Sequence, residues 1–281
     1  MFDSKVLQGQ TALITGGGTG LGLEMGKVFA RHGAAIVICS RKAENLEAGR
    51  KALESHGATV MTLQVDIRDH RAVQKMSDAI IAETGRIDIL VNNAAGNFVY
   101  PAQKLPLRAW KSVIDIVLNG TFFCSQIIGQ EMLKAGRGNI LNIVATYAWT
   151  GGPGTVHSAS AKAGVLAMTR TLAVEWAHRG IRVNAIAPGP FDTQGASSRL
   201  WPTEAVETAV REQIPLKRFA TTEEVAKAAL YLVSQYGSYI TGECLTIDGG
   251  SWLGKGIGNM ADFLDNFEEI RAASKEKRLT K

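Results

Sequence analysis

The 281-residue chain is sparing with cysteine, histidine and proline, and each shortage excludes something. Its three cysteines, Cys39, Cys124 and Cys244, stand far apart, with no C-x-x-C among them. An odd, dispersed set argues against a disulfide framework and points to a reducing, cytoplasmic compartment. The five histidines form no H-E-x-x-H or similar ligand pair, so no metal site is expected. The 7 prolines and 30 glycines follow no period, which excludes collagen-like and low-complexity chains. No uninterrupted apolar run approaches the ~18–20 residues of a membrane span. The opening MFDSKVLQGQ lacks the basic-then-apolar pattern of a signal peptide. Membrane insertion is therefore not expected.

What is present suits a folded, water-borne chain. Hydrophobic residues make up 46% and charged ones 20%, enough apolar matter to offset chain entropy. The 31 basic and 26 acidic residues leave a net charge of +5, scattered except around Lys275, Lys277, Arg278 and Lys281. Nucleic-acid binding wants a basic face on a recognisable module, and none is expected here. A modest positive balance suits a phosphate-rich small ligand.

Short β-rich runs alternate with longer helical ones. Strands are expected over 11–15, 35–39, 59–65, 87–91, 139–144, 182–186 and 243–247. Helices are expected over 21–32, 43–56, 70–84, 107–135, 158–179 and 223–235. Most of the strand runs are continuously apolar, as strands covered on both faces require. Strand–helix alternation implies right-handed βαβ units. The fold class is α/β: one doubly wound, Rossmann-like parallel sheet of seven strands with helices on both faces. A single domain is expected over 6–250. The tail, 251–281, carries a helical apolar pattern at Met260, Phe263, Leu264, Phe267 and Ile270.

TALITGGGTGLGLEMGKVFA reads as strand, glycine turn, helix. Gly16, Gly20 and Gly22 stand at G-x-x-x-G-x-G spacing. Glycines let backbone approach a pyrophosphate, and the helix N-terminus offers free N–H groups and a positive dipole end. Gly16, Gly18, Thr19, Gly20 and Leu21 are the candidate phosphate contacts. A NAD site carries an acidic residue at the end of the second strand. Here that position holds Ser40, Arg41 and Lys42, with no acid before Glu44. A guanidinium can pair with a 2′-phosphate, so the expected cofactor is NADP(H).

With NNAAG at 92–96, LNG at 118–120, PGP at 188–190 and DGG at 248–250, residues 10–250 resemble the short-chain dehydrogenase/reductase family. The resemblance implies that Asp66 and Ile67 flank an adenine. It implies that Asn93, Ala94, Ala95 and Gly96 line the cofactor, and that Pro188, Gly189 and Phe191 lie near its nicotinamide. The sequence also departs from the family pattern. Most members carry Tyr four residues before the catalytic Lys, and here Ser158 stands there before Lys162. Ala145 and Thr146 occupy the approximate place of the usual Ser. Tyr147 instead lies 15 residues before Lys162.

That departure resembles one branch, the 2,4-dienoyl-CoA reductases, and within it the mitochondrial rather than the peroxisomal form. The supporting strings are NNAAGNF, DIVLNGT, TYA, SASAKAGV and PGPFDTQGASSRL. The branch implies an acyl-CoA substrate in unsaturated fatty-acid β-oxidation. It maps catalytic roles onto Tyr147, Lys162, Ser158 and Asn97, and Asn119 matches the wider family's asparagine. It maps acyl-CoA contacts onto Arg68, Phe98 and Arg199. Hydride would add to the far end of a conjugated thioester, and Tyr147 and Asn97 would donate to the oxygen where charge collects. Lys162 would hold the ribose and a positive potential. Ser158, at i, i+4 from it, would pass a hydrogen bond through a water. Reprotonation at carbon would give a 3-enoyl product.

Read alone, these residues have plainer roles: Tyr147 a buried aromatic, Asn97 a turn cap, Ser158 the N-cap of its helix, Arg199 a surface group, His157 a loop residue. Residues 191–213 read as a lid over the acyl chain. The apolar face of 158–179 (Val165, Met168, Leu172, Trp176) suggests a homodimer or homotetramer. A trans-2-enoyl-CoA reductase and a non-catalytic NADPH-binding regulator are the rival readings.

Overall fold

The computed structural model describes residues 3–191 and 203–253. Seven parallel strands form one sheet in the order β3-β2-β1-β4-β5-β6-β7. They are β1 (Thr11–Thr15), β2 (Ala35–Ser40), β3 (Val60–Gln64), β4 (Ile89–Asn92), β5 (Gly138–Ile143), β6 (Ile181–Pro188) and β7 (Cys244–Ile247). β1 and β4 are buried along their whole length, which is why they read as unbroken apolar runs. The chain winds outward from β1 to β3, then returns to lay β4 beside β1. That reversal opens a crevice at the carboxyl ends of β1 and β4, where such sheets bind ligands.

Helices cover both faces. α1 (Gly20–Arg31) buries Leu21, Met25, Val28 and Phe29, one stripe at i, i+4, i+7, i+8. It packs in one core with α9 (Thr222–Val233), whose first turn is closed by a capping box between Thr221 and Glu224. α2 (Ala43–Glu54) lies beside α1. On the other face, α3 (His70–Thr84) and α5 (Gly120–Ala135) share a second core with the sheet. α8 (Glu204–Glu212) is the described part of the expected lid; residues 192–202 lie outside the described residues.

The single helix expected over Leu107–Ala135 is three pieces: α4 (Leu107–Val113), a π turn (Ile114–Asn119) and α5. Taken as one helix, this stretch is long enough to cross a membrane and contains an 18-residue window with a mean hydropathy of 1.4. Half of that window is buried inside the protein, so the apolarity has a use in the core. A one-turn helix, α6 (Tyr147–Thr150), follows β5 and was not expected. α7 (Val156–Trp176) begins two residues before the expected start. Its apolar face is largely spent inside the chain. Val165 is fully buried, Leu172 and Trp176 pack against the second core, and the Trp176 ring fills the space above Gly129.

Candidate active site

The glycine turn leaves β1 at Gly16, whose φ of +65° suits glycine and whose N–H donates to the Cys39 carbonyl at 2.8 Å. A Cβ on Gly18 would fall 2.4 Å from the Asn45 carbonyl, and one on Gly22 would fall 2.5 Å from the Asn93 amide. Side chains there would push α2 and the loop after β4 away from the turn. Thr19 caps α1 without a side-chain bond, and no acid stands in the first turn, so the helix N–H groups remain available to an anion. These features fit a dinucleotide pyrophosphate.

A cavity of about 400 Å³ opens from this turn. Gly16, Thr19, Ser40, Arg41, Lys42, Asp66, Ile67 and Asn93–Ala95 line it, together with Asn45, which carried no sequence signal; Gly18, Gly20, Leu21 and Gly96 are not part of its lining. Asn93 is held by β1: its backbone N–H donates to Thr15 Oγ1 at 3.0 Å, and its amide donates to the Thr15 carbonyl at 3.0 Å. Arg68 grips Asp66 with Nε at 2.9 Å and a terminal nitrogen at 2.6 Å. The guanidinium holds the Asp66 carboxyl below its ordinary range. Arg41 makes no ion pair among the described residues.

The reactive groups stand one strand further along. Tyr147, the first residue of α6, brings its hydroxyl to 3.0 Å from Ser158 Oγ. Asn97, in the loop after β4, donates its amide to the same phenol oxygen at 3.4 Å. The Asn97 carbonyl oxygen accepts from the Phe98 N–H at 2.9 Å, so this side chain also steadies its own turn. Burial pushes the Tyr147 phenol up, partly opposed by the Ser158 hydrogen bond, and keeps it a neutral donor. Ser158 is not an N-cap. Thr155 holds that position, and the Ser158 hydroxyl points to the phenol. One turn on, Lys162 is buried and donates to the Ile143 carbonyl. Burial brings its ammonium down from 10.5 to about 8.

Asn119 ends the π turn and donates to Asp115 at 3.0 Å. The turn packs against α7, with Leu118 over Gly164. π turns inside α-helices frequently mark functional sites. Pro188 ends β6, and a Cβ on Gly189 would meet Asp248 at 2.5 Å, so the PGP and DGG turns interlock. Phe191 bridges to Ala220 and packs partly against the first core. Phe98 stacks on His157, with centroids 4.3 Å apart. His157 is not a loop residue: it is fully buried in the first turn of α7, against the backbone of Phe98. Arg199 lies outside the described residues. Among the described residues no three or more His, Cys, Asp or Glu side chains converge as metal ligands would.

A glycine cradle at the switch point of a parallel sheet, with a phenol and an ammonium over the neighbouring strand, defines a Rossmann-type oxidoreductase that works with a nicotinamide cofactor. Comparison with known proteins narrows the class. A family model described as enoyl-(acyl carrier protein) reductase matches residues 16–251. A Bacillus subtilis protein named probable 2,4-dienoyl-CoA reductase [(2E)-enoyl-CoA-producing] is 46% identical over 249 residues, covering 88% of this chain and 98% of that one. The Danio rerio peroxisomal 2,4-dienoyl-CoA reductase [(3E)-enoyl-CoA-producing] is 41% identical over 254 residues, covering 90% and 85%. A solved short chain dehydrogenase from Bacillus anthracis superposes with a TM-score of 0.82 at 48% identity, covering 89% of this chain and all of that one. The chain belongs to the short-chain dehydrogenase/reductase family.

Proposed function

We propose that this chain is an NADPH-dependent 2,4-dienoyl-CoA reductase of unsaturated fatty-acid β-oxidation. The observation that carries the reading is the meeting of Tyr147, Asn97 and Ser158 at one phenol oxygen, beside Lys162. The names of relatives at 40–46% identity support reduction of a dienoyl-CoA and divide on the product: the relative at 46% is named (2E)-enoyl-CoA-producing, those at 40–42% (3E)-enoyl-CoA-producing.

The bound cofactor supplies a hydride to the far carbon of the conjugated thioester. The chain's own residues manage the charge that results. The Tyr147 oxygen can accept from Asn97 and from the Ser158 hydroxyl, which leaves its own O–H free to donate. Asn97 has a second amide N–H for the same purpose. Both donors suit the thioester oxygen as it gains negative charge, an oxyanion-hole arrangement. Lys162 holds a positive potential from below, and Asn119 lies in the π turn packed on the helix that carries it. A proton delivered from water to the carbon next to the thioester would give the 3-enoyl product carried in the name of the Danio rerio relative; delivery two carbons further on would give the 2-enoyl product in the name of the Bacillus subtilis one.

Arg41 and Lys42, with no acid at the end of β2, support NADPH over NADH. Gly16, Gly18, Thr19, Gly20 and Leu21 would hold the pyrophosphate, and Asp66 and Ile67 the adenine. Arg68 and Phe98 would face the acyl-CoA. We take residues 6–250 as the catalytic domain and the assembly as a homodimer or homotetramer. Three free thiols, two of them buried, agree with a cytoplasmic setting.

The test compares NADPH oxidation with 2,4-hexadienoyl-CoA and trans-2-hexenoyl-CoA. The diene is expected to be turned over; activity on the monoene alone overturns the reading in favour of an enoyl reductase. Cofactor binding without turnover of either thioester would identify a regulator instead.

A further inference from the structure

The carboxyl edge of the sheet sets its loops in a line. Asn97 follows β4, Tyr147 follows β5, Gly189 follows β6 and Asp248 follows β7. β5 and β7 are not neighbours; β6 separates them, so they lie about 10 Å apart, two strand spacings. Yet Trp149, two residues past Tyr147, meets Trp252, four residues past Asp248. Their rings stand edge to face, with centroids 5.8 Å apart and planes at 89°. The two indoles therefore arch across the carboxyl end of β6.

Both arms of the arch are fixed. The Asp248 carboxylate is buried and accepts from the Trp252 N–H at 2.8 Å and the Gly250 N–H at 2.9 Å. Asp248 itself packs on Gly189. Trp149 is held by the single turn of α6, its N–H donating to the Thr146 carbonyl at 3.2 Å. Trp149 nevertheless leaves 37% of its surface exposed at the sheet edge whose loops carry Tyr147 and Gly189, an apolar face available to a ligand.

We propose that the Trp149–Trp252 pair is the end wall of the acyl pocket and sets the chain length accepted. The inference rests on the dienoyl-CoA reading. A conjugated dienoyl thioester is planar and cannot bend between its oxygen and its far carbon. Its oxygen belongs with Tyr147 and Asn97, over β4 and β5. Its far carbon belongs at the β6 turn. The rest of the acyl chain continues along that line, toward β7, and arrives at the indole pair.

Trp252→Ala and Trp252→Leu test this on the full-length protein. Dienoyl-CoA substrates of six and twelve carbons would be compared by kcat/KM, and saturated hexanoyl- and dodecanoyl-CoA by calorimetric Kd. Removing the wall is expected to shift the long-to-short kcat/KM ratio at least about tenfold toward the long chain, the scale of apolar-pocket discrimination. The Kd ratio is expected to move the same way, and Trp252→Leu to fall between. If the Ala variant does not fold, the Leu variant carries the comparison. Folded variants with an unchanged length profile would overturn the wall, even if their melting temperatures fall. A wild-type protein that reduces no dienoyl-CoA of either length overturns the reaction assigned, while the saturated-thioester Kd ratios still decide the wall.

Discussion

The hydroxyl oxygens of Tyr147 and Ser158 lie 3.0 Å apart although the residues belong to different helices and stand eleven positions apart in sequence. The contact ties the phenol at the end of β5 to the helix that carries Lys162. Ser158 thus bonds the phenol and is not the cap of its helix, and in the proposed reaction it acts through Tyr147.

Tyr147→Phe removes the donor to the thioester oxygen and is expected to lower kcat about 10²–10³-fold. Ser158→Ala removes one neutral hydrogen bond to the phenol and is expected to lower kcat about tenfold at most. The double variant is expected to be no worse than Tyr147→Phe alone, because the serine has lost the group through which it acts. Steady-state kinetics on the four proteins decides this. Additive losses would mean that Ser158 acts on the substrate independently.

Lys162 links activity and stability to pH with opposite signs. Burial places its ammonium at about 8, against 10.5 in the open. Below pH 8 both folded and unfolded chains carry the proton, and folding bears the full penalty of burying the charge. Between about 8 and 10.5 the folded chain has released the proton and the unfolded chain has not, so this residue's contribution to stability improves as pH rises. The positive charge that the proposed reaction assigns to Lys162 disappears over the same interval. A basic limb in kcat/KM near pH 8 is therefore expected, since kcat/KM reports the free enzyme. Lys162→Met is expected to be slow, with no such limb.

Much of this architecture was legible because it is written in short-range patterns. Continuous apolar runs marked the buried strands, and the glycine turn carried its own steric signature at Gly16 and Gly18. Boundaries moved by a residue or two, as at β6, which runs on to Pro188. The π turn was invisible because Ile114, Ile116 and Val117 continue the apolar pattern on either side of it. The Asn97–Tyr147 contact spans fifty positions and depends on β4 and β5 lying side by side, so only resemblance could pair them. His157 looked solitary because its stacking partner, Phe98, arrives from another strand's loop. Trp149 and Trp252 gave no sequence signal, since nothing local links two indoles a hundred residues apart.

Cofactor choice is expected to turn on Arg41. The residue lines the dinucleotide cavity and has no ion pair among the described residues to compete for its guanidinium. Hydrogen bonds between charged groups contribute about 1.5–3 kcal/mol, so Arg41→Ala is expected to weaken NADPH binding about tenfold to a hundredfold. NADH binding is expected to change little, because it has no 2′-phosphate. Titrations of the wild type and the Arg41→Ala variant with NADPH and NADH check this. An equal loss for the two cofactors would mean that Arg41 supports the loop and does not read the phosphate.

The core beneath the site depends on a buried polar chain. Asn92 donates to Asn142 Oδ1 at 2.9 Å, and Asn142 donates to Thr169 Oγ1 at 2.9 Å. Thr169 has no exposed surface. Thr169→Val keeps the shape but removes the acceptor, leaving an amide N–H of Asn142 without a partner in the interior. That group can neither reach water nor find a new bond, so the expected loss is about 1–3 kcal/mol. Thr171→Val is the control. Its hydroxyl bonds the Ala167 carbonyl at 3.0 Å on an exposed face of the same helix, where water can replace it. That change is expected to stay within about 0.5 kcal/mol. Urea unfolding of the two variants separates the cases, and equal midpoints would mean that Asn142 finds another acceptor once Thr169 is gone.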